Sequence, residues 1–427
     1  MRDKLHFKKM ITQDLFLETT KKQILYFNFF WLGMAIYIFS FTLSRASDLN
    51  FIVFQSFQII GLVLIFSTSF NLIKSKIDNP YLKIVYLLYC SWNFILVLIG
   101  FKFQDYDFIK FFFFHLTFGG IIYLAPLILL LPRNLFFYKK TFDIIIFFGI
   151  FYIVYDILFL KYILNSDRSS LASVGVVELS ADLSLPIGFI FLTYAYHSIK
   201  AKILAVGIII LTLLFAIIRA RRGLIFMSSS LIIFSYISYL FTSKRKFFLL
   251  FLSMVIVLIA GIWVNSIYRP EKSIFGFILE RGDEDTRTNV ELYFYNDMKT
   301  NDWILGRGIN GQYYCPDIEQ DQLTNYRDVI ETGYLQIILK GGIISLGLFF
   351  LITIPAIIKG LFYSQNLLSK AAAIWIFLVL ISLYPAIINT FSLRYLLAWI
   401  CIGICYSKNI RNIPEYKMRE YFRLFNK

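Results

Sequence analysis

The sequence predicts an all-α polytopic integral membrane protein of about twelve transmembrane helices, with one large, partly helical loop on the non-cytoplasmic side between the ninth and tenth spans. Three observations predict it. Of 427 residues, 58% are hydrophobic and only 16% charged, where a soluble domain carries roughly a quarter charged residues, and mean hydropathy is +0.68. The apolar residues come in runs of roughly 17–25, the length that takes a helix across about 30 Å of hydrocarbon at about 1.5 Å per residue. Lysine and arginine gather in the short segments between these runs and divide unevenly between the two sides. A transmembrane barrel would instead show segments of about ten residues with alternating polarity.

The expected spans are 25–43, 51–72, 84–101, 108–131, 142–161, 183–198, 202–219, 223–241, 247–265, 335–358, 371–388 and 392–407. Residues 1–24 are polar and basic and the first run has no small-residue cleavage site, so it reads as a span and not as a cleaved signal. The sixth span is short, with Asp182 and Pro186 at its start, a place where irregular backbone is tolerated only under cover of protein or a water-filled cavity. With the N-terminus inside, the cytoplasmic segments hold 25 Lys and Arg and the short outer loops 8. The loop 266–333 is left out of that count, because long loops cross largely regardless of charge. Both termini are therefore expected in the cytoplasm, on a single membrane domain (1–427) that carries the 266–333 insertion.

The net charge of +15 does not imply nucleic-acid binding, because the basic residues are spread over membrane-flanking segments and form no soluble basic domain. Cys90, Cys401 and Cys405 fall in apolar runs and Cys315 stands alone in the loop, so no disulfide or metal framework is expected. His6, His115 and His197 assemble neither a metal cluster nor a Ser–His–Asp set.

Three features carry candidate chemistry. The loop 266–333 holds 13 of the 27 acidic residues and seven basic ones. Within it, Asp285–Lys299 has helical character with Val290, Leu292, Phe294 and Tyr295 as apolar contacts, followed by a glycine-punctuated turn, Gly306-Arg307-Gly308. A solvated cap is the plain reading; a functional loop is the other, since loops this long are usually functional or disordered and its aromatics argue against disorder. Second, Arg219-Ala220-Arg221-Arg222-Gly223 falls on the outer side, where basic clusters are disfavoured. Guanidinium forks bind phosphate oxygens, so a pyrophosphate at the membrane rim is the expected partner, with lipid headgroups the alternative. Third, Glu331-Thr332-Gly333 leads into Lys340-Gly341-Gly342 and the tenth span. Glu331 is either a general base at the membrane surface or a glutamate placed for the helix macrodipole.

At these residues, over roughly 165–350, the chain resembles the O-antigen polymerase and O-antigen ligase family of membrane glycosyltransferases. The resemblance consists of Arg222-Gly223 after a mid-chain span, a large outer loop with Arg287 opening a helix, the Gly306-Arg307-Gly308 turn, and Glu331 to Gly342 before a glycine-rich span. It implies a bacterial inner-membrane enzyme that takes undecaprenyl-pyrophosphate-linked oligosaccharides as substrates on the periplasmic face, with no metal or other cofactor. A chain-length regulator and a flippase are the partners it implies within the same pathway. Arg222, Arg219 and Arg168 would hold the pyrophosphate, with Arg287 and Glu331 catalytic. Ligase-like members open the last motif with histidine where this chain has Glu331, so the resemblance favours a polymerase. A ligase acting on lipid A–core and a lipid-linked oligosaccharide flippase are the alternatives; transporters, however, place charges near the midplane and often show two related halves.

Overall fold

In the computed structural model the described residues are 21–44, 51–73, 77–101, 104–114, 119–165, 171–219, 221–242, 247, 254–255, 288–316, 325–388 and 392–424. Seven helices there are long and apolar enough to cross a membrane: α1 (Lys21–Ser44), α2 (Phe51–Leu72), α3 (Pro80–Gly100), α5 (Leu135–Leu158), α9 (Ile199–Ile218), α10 (Arg222–Thr242) and α13 (Gly333–Phe362). Shorter elements lie between and after them: α4 (Tyr106–Phe114), a 3-10 helix at Gly120–Leu130, α6 (Leu160–Asn165), α7 (Leu171–Ser184), α8 (Ile187–Leu192), α14 (Leu367–Ser382) and α15 (Leu393–Tyr406). The loop contributes α11 (Thr288–Asp297), α12 (Thr300–Leu305) and an antiparallel pair, β1 (Tyr313–Tyr314) with β2 (Tyr326–Arg327). Two short helices, α16 (Lys408–Arg411) and α17 (Glu415–Leu424), close the described chain. The expected ninth span, 247–265, falls almost wholly outside the described residues.

Helix starts follow local chemistry. Asn79 accepts from Leu82 N at 2.9 Å with Pro80 next in the chain, Asn134 accepts from Phe137 N at 2.8 Å, and Asn366 from Ser369 N at 2.9 Å. Such caps are each worth about 1 kcal/mol, and proline fits the first helical position because its missing N–H has no partner there anyway.

Helix ends sort into two sets by their contacts. On one face, Phe27 of α1 packs on Phe136 and Phe137 of α5, Phe142 packs on Phe422 of α17, and Tyr196 donates to Glu415. Tyr81 at the start of α3 stacks with Tyr406 at the end of α15 on that same face. At the other face Gly100 ends α3 against Asn310, and Gly333 at the start of α13 bonds Leu383. The described loop segments belong to this second face. They have their own small core of Val290, Phe294, Met298, Tyr313 and Ile330, continuous with Leu335, Ile338 and Leu339 of α13. Leu292 and Tyr295, expected among the loop's apolar contacts, are instead half exposed, because a ten-residue helix buries one stripe and that stripe is Val290 and Phe294.

Three expected spans take a different form. The fourth is not one helix: α4 is followed by the 3-10 segment with Pro126 inside it. Proline cannot donate to a helical ladder, and the Pro126 carbonyl accepts from the Tyr86 hydroxyl at 3.2 Å. The sixth begins earlier than residue 183, with α7 starting at Leu171 and breaking at Leu185–Pro186 before α8. Asp182, which marked a boundary in the sequence, is 6% exposed and faces the Arg394 guanidinium at 3.8 Å. The tenth is interrupted at Gly341 and Gly342.

Candidate functional site

The site is built around that interruption. Gly342 has φ +67°, and a Cβ there would fall 2.0 Å from the Ile304 carbonyl oxygen, so only glycine fits both the backbone and the space. The carbonyls of Leu339 and Lys340 accept from the N–H groups of Arg307 and Gly308 at 2.8 and 2.9 Å. Trp92 of α3 donates to Gly341 O at 3.1 Å and to Ser345 Oγ at 2.9 Å. The Gly306-Arg307-Gly308 turn thus acts as a plug that satisfies the broken helix, as irregular backbone at a membrane requires.

Arg307 itself is a bracket within the loop. Its guanidinium binds Asp297, the Asp302 carboxylate at 2.7 Å and the Gln312 carbonyl at 2.7 Å. Partial burial works against its charge, but the hydrogen bonds from Asp297 and Asp302 outweigh this, and its pKa stands above the ordinary value.

At the first residue of α13, Gly333 N donates to Leu383 O at 2.7 Å, and a Cβ on Gly333 would lie 2.7 Å from Ala386 O. Thr332 stands at the N-cap position without a side-chain capping bond, and its hydroxyl donates instead to Glu291 in the first turn of α11. Gln336 fixes the approach: Oε1 accepts from Ile330 N at 2.8 Å and Nε2 donates to Asp328 O at 3.2 Å. Glu331 is therefore carried, exposed, on a turn pinned from both sides.

The arginine cluster arrives at the same place from another helix. Arg221 N bonds Ala216 O at 2.8 Å, turning the chain from α9 into α10, and Arg222 is exposed at the first position of α10. A Cβ on Gly223 would touch Pro385 O at 3.4 Å. Gly223 and Gly333 therefore both rest on the 383–388 turn, which brings Arg222 and Glu331 to one region although 109 positions separate them. The turn is held from below by Arg394, which donates to Ile387 O at 3.3 Å while facing Asp182. Beneath the start of α13 opens a cavity of about 110 Å³ lined by Gly333, Gln336 and Lys340 together with residues of α3 and α15.

Arg219 does not share this exposure. It is 3% exposed and its guanidinium donates to the Tyr162 carbonyl, so it serves as a clamp between α9 and α6. Arg168 and Arg287 lie outside the described residues. His197, at the opposite face, contacts Thr193 at 2.9 Å. Among the described residues no group of His, Cys, Asp and Glu is arranged to hold a metal. Sequence reading missed Asn93 and the part of Lys340 in the cavity wall; a lysine inside a 30-residue apolar helix was the available signal for the second.

The chain matches no known family, no curated protein and no solved structure.

Proposed function

We propose that this chain is a membrane glycosyltransferase that polymerises undecaprenyl-pyrophosphate-linked oligosaccharide repeats on the periplasmic face of the bacterial inner membrane. The observation that carries this reading is the packing of Gly223 and Gly333 on a single turn, with exposed Arg222 and Glu331 beside them. An exposed guanidinium at a helix N-terminus offers a permanent charge and the positive end of a helix dipole to one anion. Arg287 directly precedes Thr288, and the first turn of α11 is held to Thr332 through Glu291, which supports giving it a share of the same anion.

In the proposed step the Glu331 carboxylate takes the proton of an acceptor sugar hydroxyl. The hydroxyl oxygen bonds the anomeric carbon of the donor's terminal sugar while the bond from that carbon to phosphate oxygen breaks. The electron pair leaves on the lipid diphosphate, where Arg222 and Arg287 stabilise the developing charge. Twelve crossings with both termini cytoplasmic fit the Lys and Arg bias and leave the loop and the arginines outside. The test is the chain-length ladder of the surface polysaccharide in a strain whose only copy is altered. Arg222→Ala is expected to leave single repeats with normal membrane insertion, and unchanged long chains would remove Arg222 from the site. A ligase defect would instead leave bare core with lipid-linked polymer.

A further inference from the structure

The cavity beneath the start of α13 is walled by Tyr89, Asn93, Tyr123, Lys340, Phe349 and Tyr395 among others, and has room for several waters. Two groups in its wall lack what burial demands. Asn93 is 5% exposed, and its Nδ2 meets no hydrogen-bond acceptor. The Tyr89 hydroxyl is the acceptor nearest to it, close enough to interact but outside hydrogen-bond geometry, and Tyr89 in turn stands beside Tyr395. Lys340 is half-buried, spends one of its three donors on Gly311 O at 3.0 Å, and has the Asp328 carboxylate within electrostatic reach though not in an ion pair. Buried donors and cations are normally matched, so Asn93 Nδ2 and the remaining donors of the Lys340 ammonium are open to an acceptor from outside the chain.

Two acceptors of the wall are committed elsewhere, and the tyrosine hydroxyls that remain are neutral. Gln336 is spent on Ile330 N and Asp328 O, and Ser345 Oγ is taken by Trp92. An occupant that brings oxygen acceptors and a negative charge complements both groups. The rest of the wall is aromatic and aliphatic, which suits the C–H faces of a ring more than a fully hydrated ion.

We propose that this cavity binds a sugar ring bearing an anionic oxygen group, a carboxylate or a phosphate monoester, with Lys340 meeting the charge and Asn93 Nδ2 a neutral oxygen. The proposal rests on the glycan reading above for the ring and on the cavity alone for the charge.

Calorimetric titration of the full-length protein in detergent micelles tests it, with glucuronate, glucose 1-phosphate, glucose and inorganic phosphate as probes. The two acidic sugars are expected to bind at least tenfold more tightly than either glucose or inorganic phosphate. Lys340→Met should bring them down to the level of glucose, and Lys340→Arg should restore the margin; Lys340→Gln replaces the Met variant should that one not fold. Asn93→Leu should weaken all three sugars several-fold and leave the preference for acid intact. Equal binding of glucose and the acidic sugars, or a margin that survives loss of the Lys340 charge, overturns the proposal. Inorganic phosphate binding as tightly as the acidic sugars overturns the ring. Because binding is read without turnover, a failed chain-length test would count against the polymerase reading and leave the charge preference to stand or fall by itself.

Discussion

At the scale of single residues, two arginines three positions apart have opposite fates. Arg219 is buried against the Tyr162 carbonyl while Arg222 is exposed at the head of α10. Arg219→Ala is therefore expected to act on stability, lowering the thermal unfolding temperature in detergent, because it removes a charge-assisted bond of about 1.5–3 kcal/mol. Arg222→Ala should leave that temperature within about 1 °C, since exposed positions contribute little to stability; a large drop would make it structural. Glycine separates in the same way. Gly342→Ala must force a side chain into φ +67° against Ile304 O, a strain of about 1–3 kcal/mol before any clash. Gly347 has nothing within 4 Å of its added Cβ, so Gly347→Ala is expected to be neutral or to stabilise by up to about 1 kcal/mol. Equal melting of the two variants would contradict the account of the break. The sequence makes Arg219 and Arg222 look alike, because burial depends on where α6 comes to lie.

At the scale of elements, the broken helices matter most. The α7–α8 break places Asp182 opposite Arg394, with side chains 9% and 8% exposed. Removing one partner of such a pair leaves a buried charge, costing about 3–5 kcal/mol, whereas replacing both with apolar groups is often close to neutral. Asp182→Leu and Arg394→Met are each expected to destabilise strongly and the double variant much less, as read from unfolding in a double-mutant cycle. Additive losses would show that the two do not act as a pair. Most helices were legible from the sequence because length and apolarity are local properties. The three broken spans were the exceptions, and the late start given to the sixth is the clearest: Asp182 was counted as an edge when its charge is answered by a residue 212 positions away. The β1–β2 pair, two residues per strand, carries no periodicity from which it could be read.

At the scale of the molecule, the frame brings distant segments of chain to one face. The starts of α10 and α13 meet the 383–388 turn there, and the Gly306–Gly308 plug seats the loop on α13. The arginine cluster, the glycine-rich motif and Glu331 could be singled out in sequence, but not their convergence, which depends on the packing of α9, α10, α13 and α14. Asn93 gave no signal, since one asparagine in an apolar helix becomes informative only when its neighbours are known. On the opposite face, α17 presents exposed Tyr416 beside Glu415, which accepts from Leu367 N at 2.8 Å. The central claim is that these two faces lie on opposite sides of the membrane, with Arg222 outside. In a variant with the four native cysteines replaced, Arg222→Cys and Tyr416→Cys are compared in intact cells with a maleimide that cannot cross the bilayer. The cysteine at 222 should react at once and the cysteine at 416 only after permeabilisation; the reverse order, or reaction of both in sealed cells, would contradict the account.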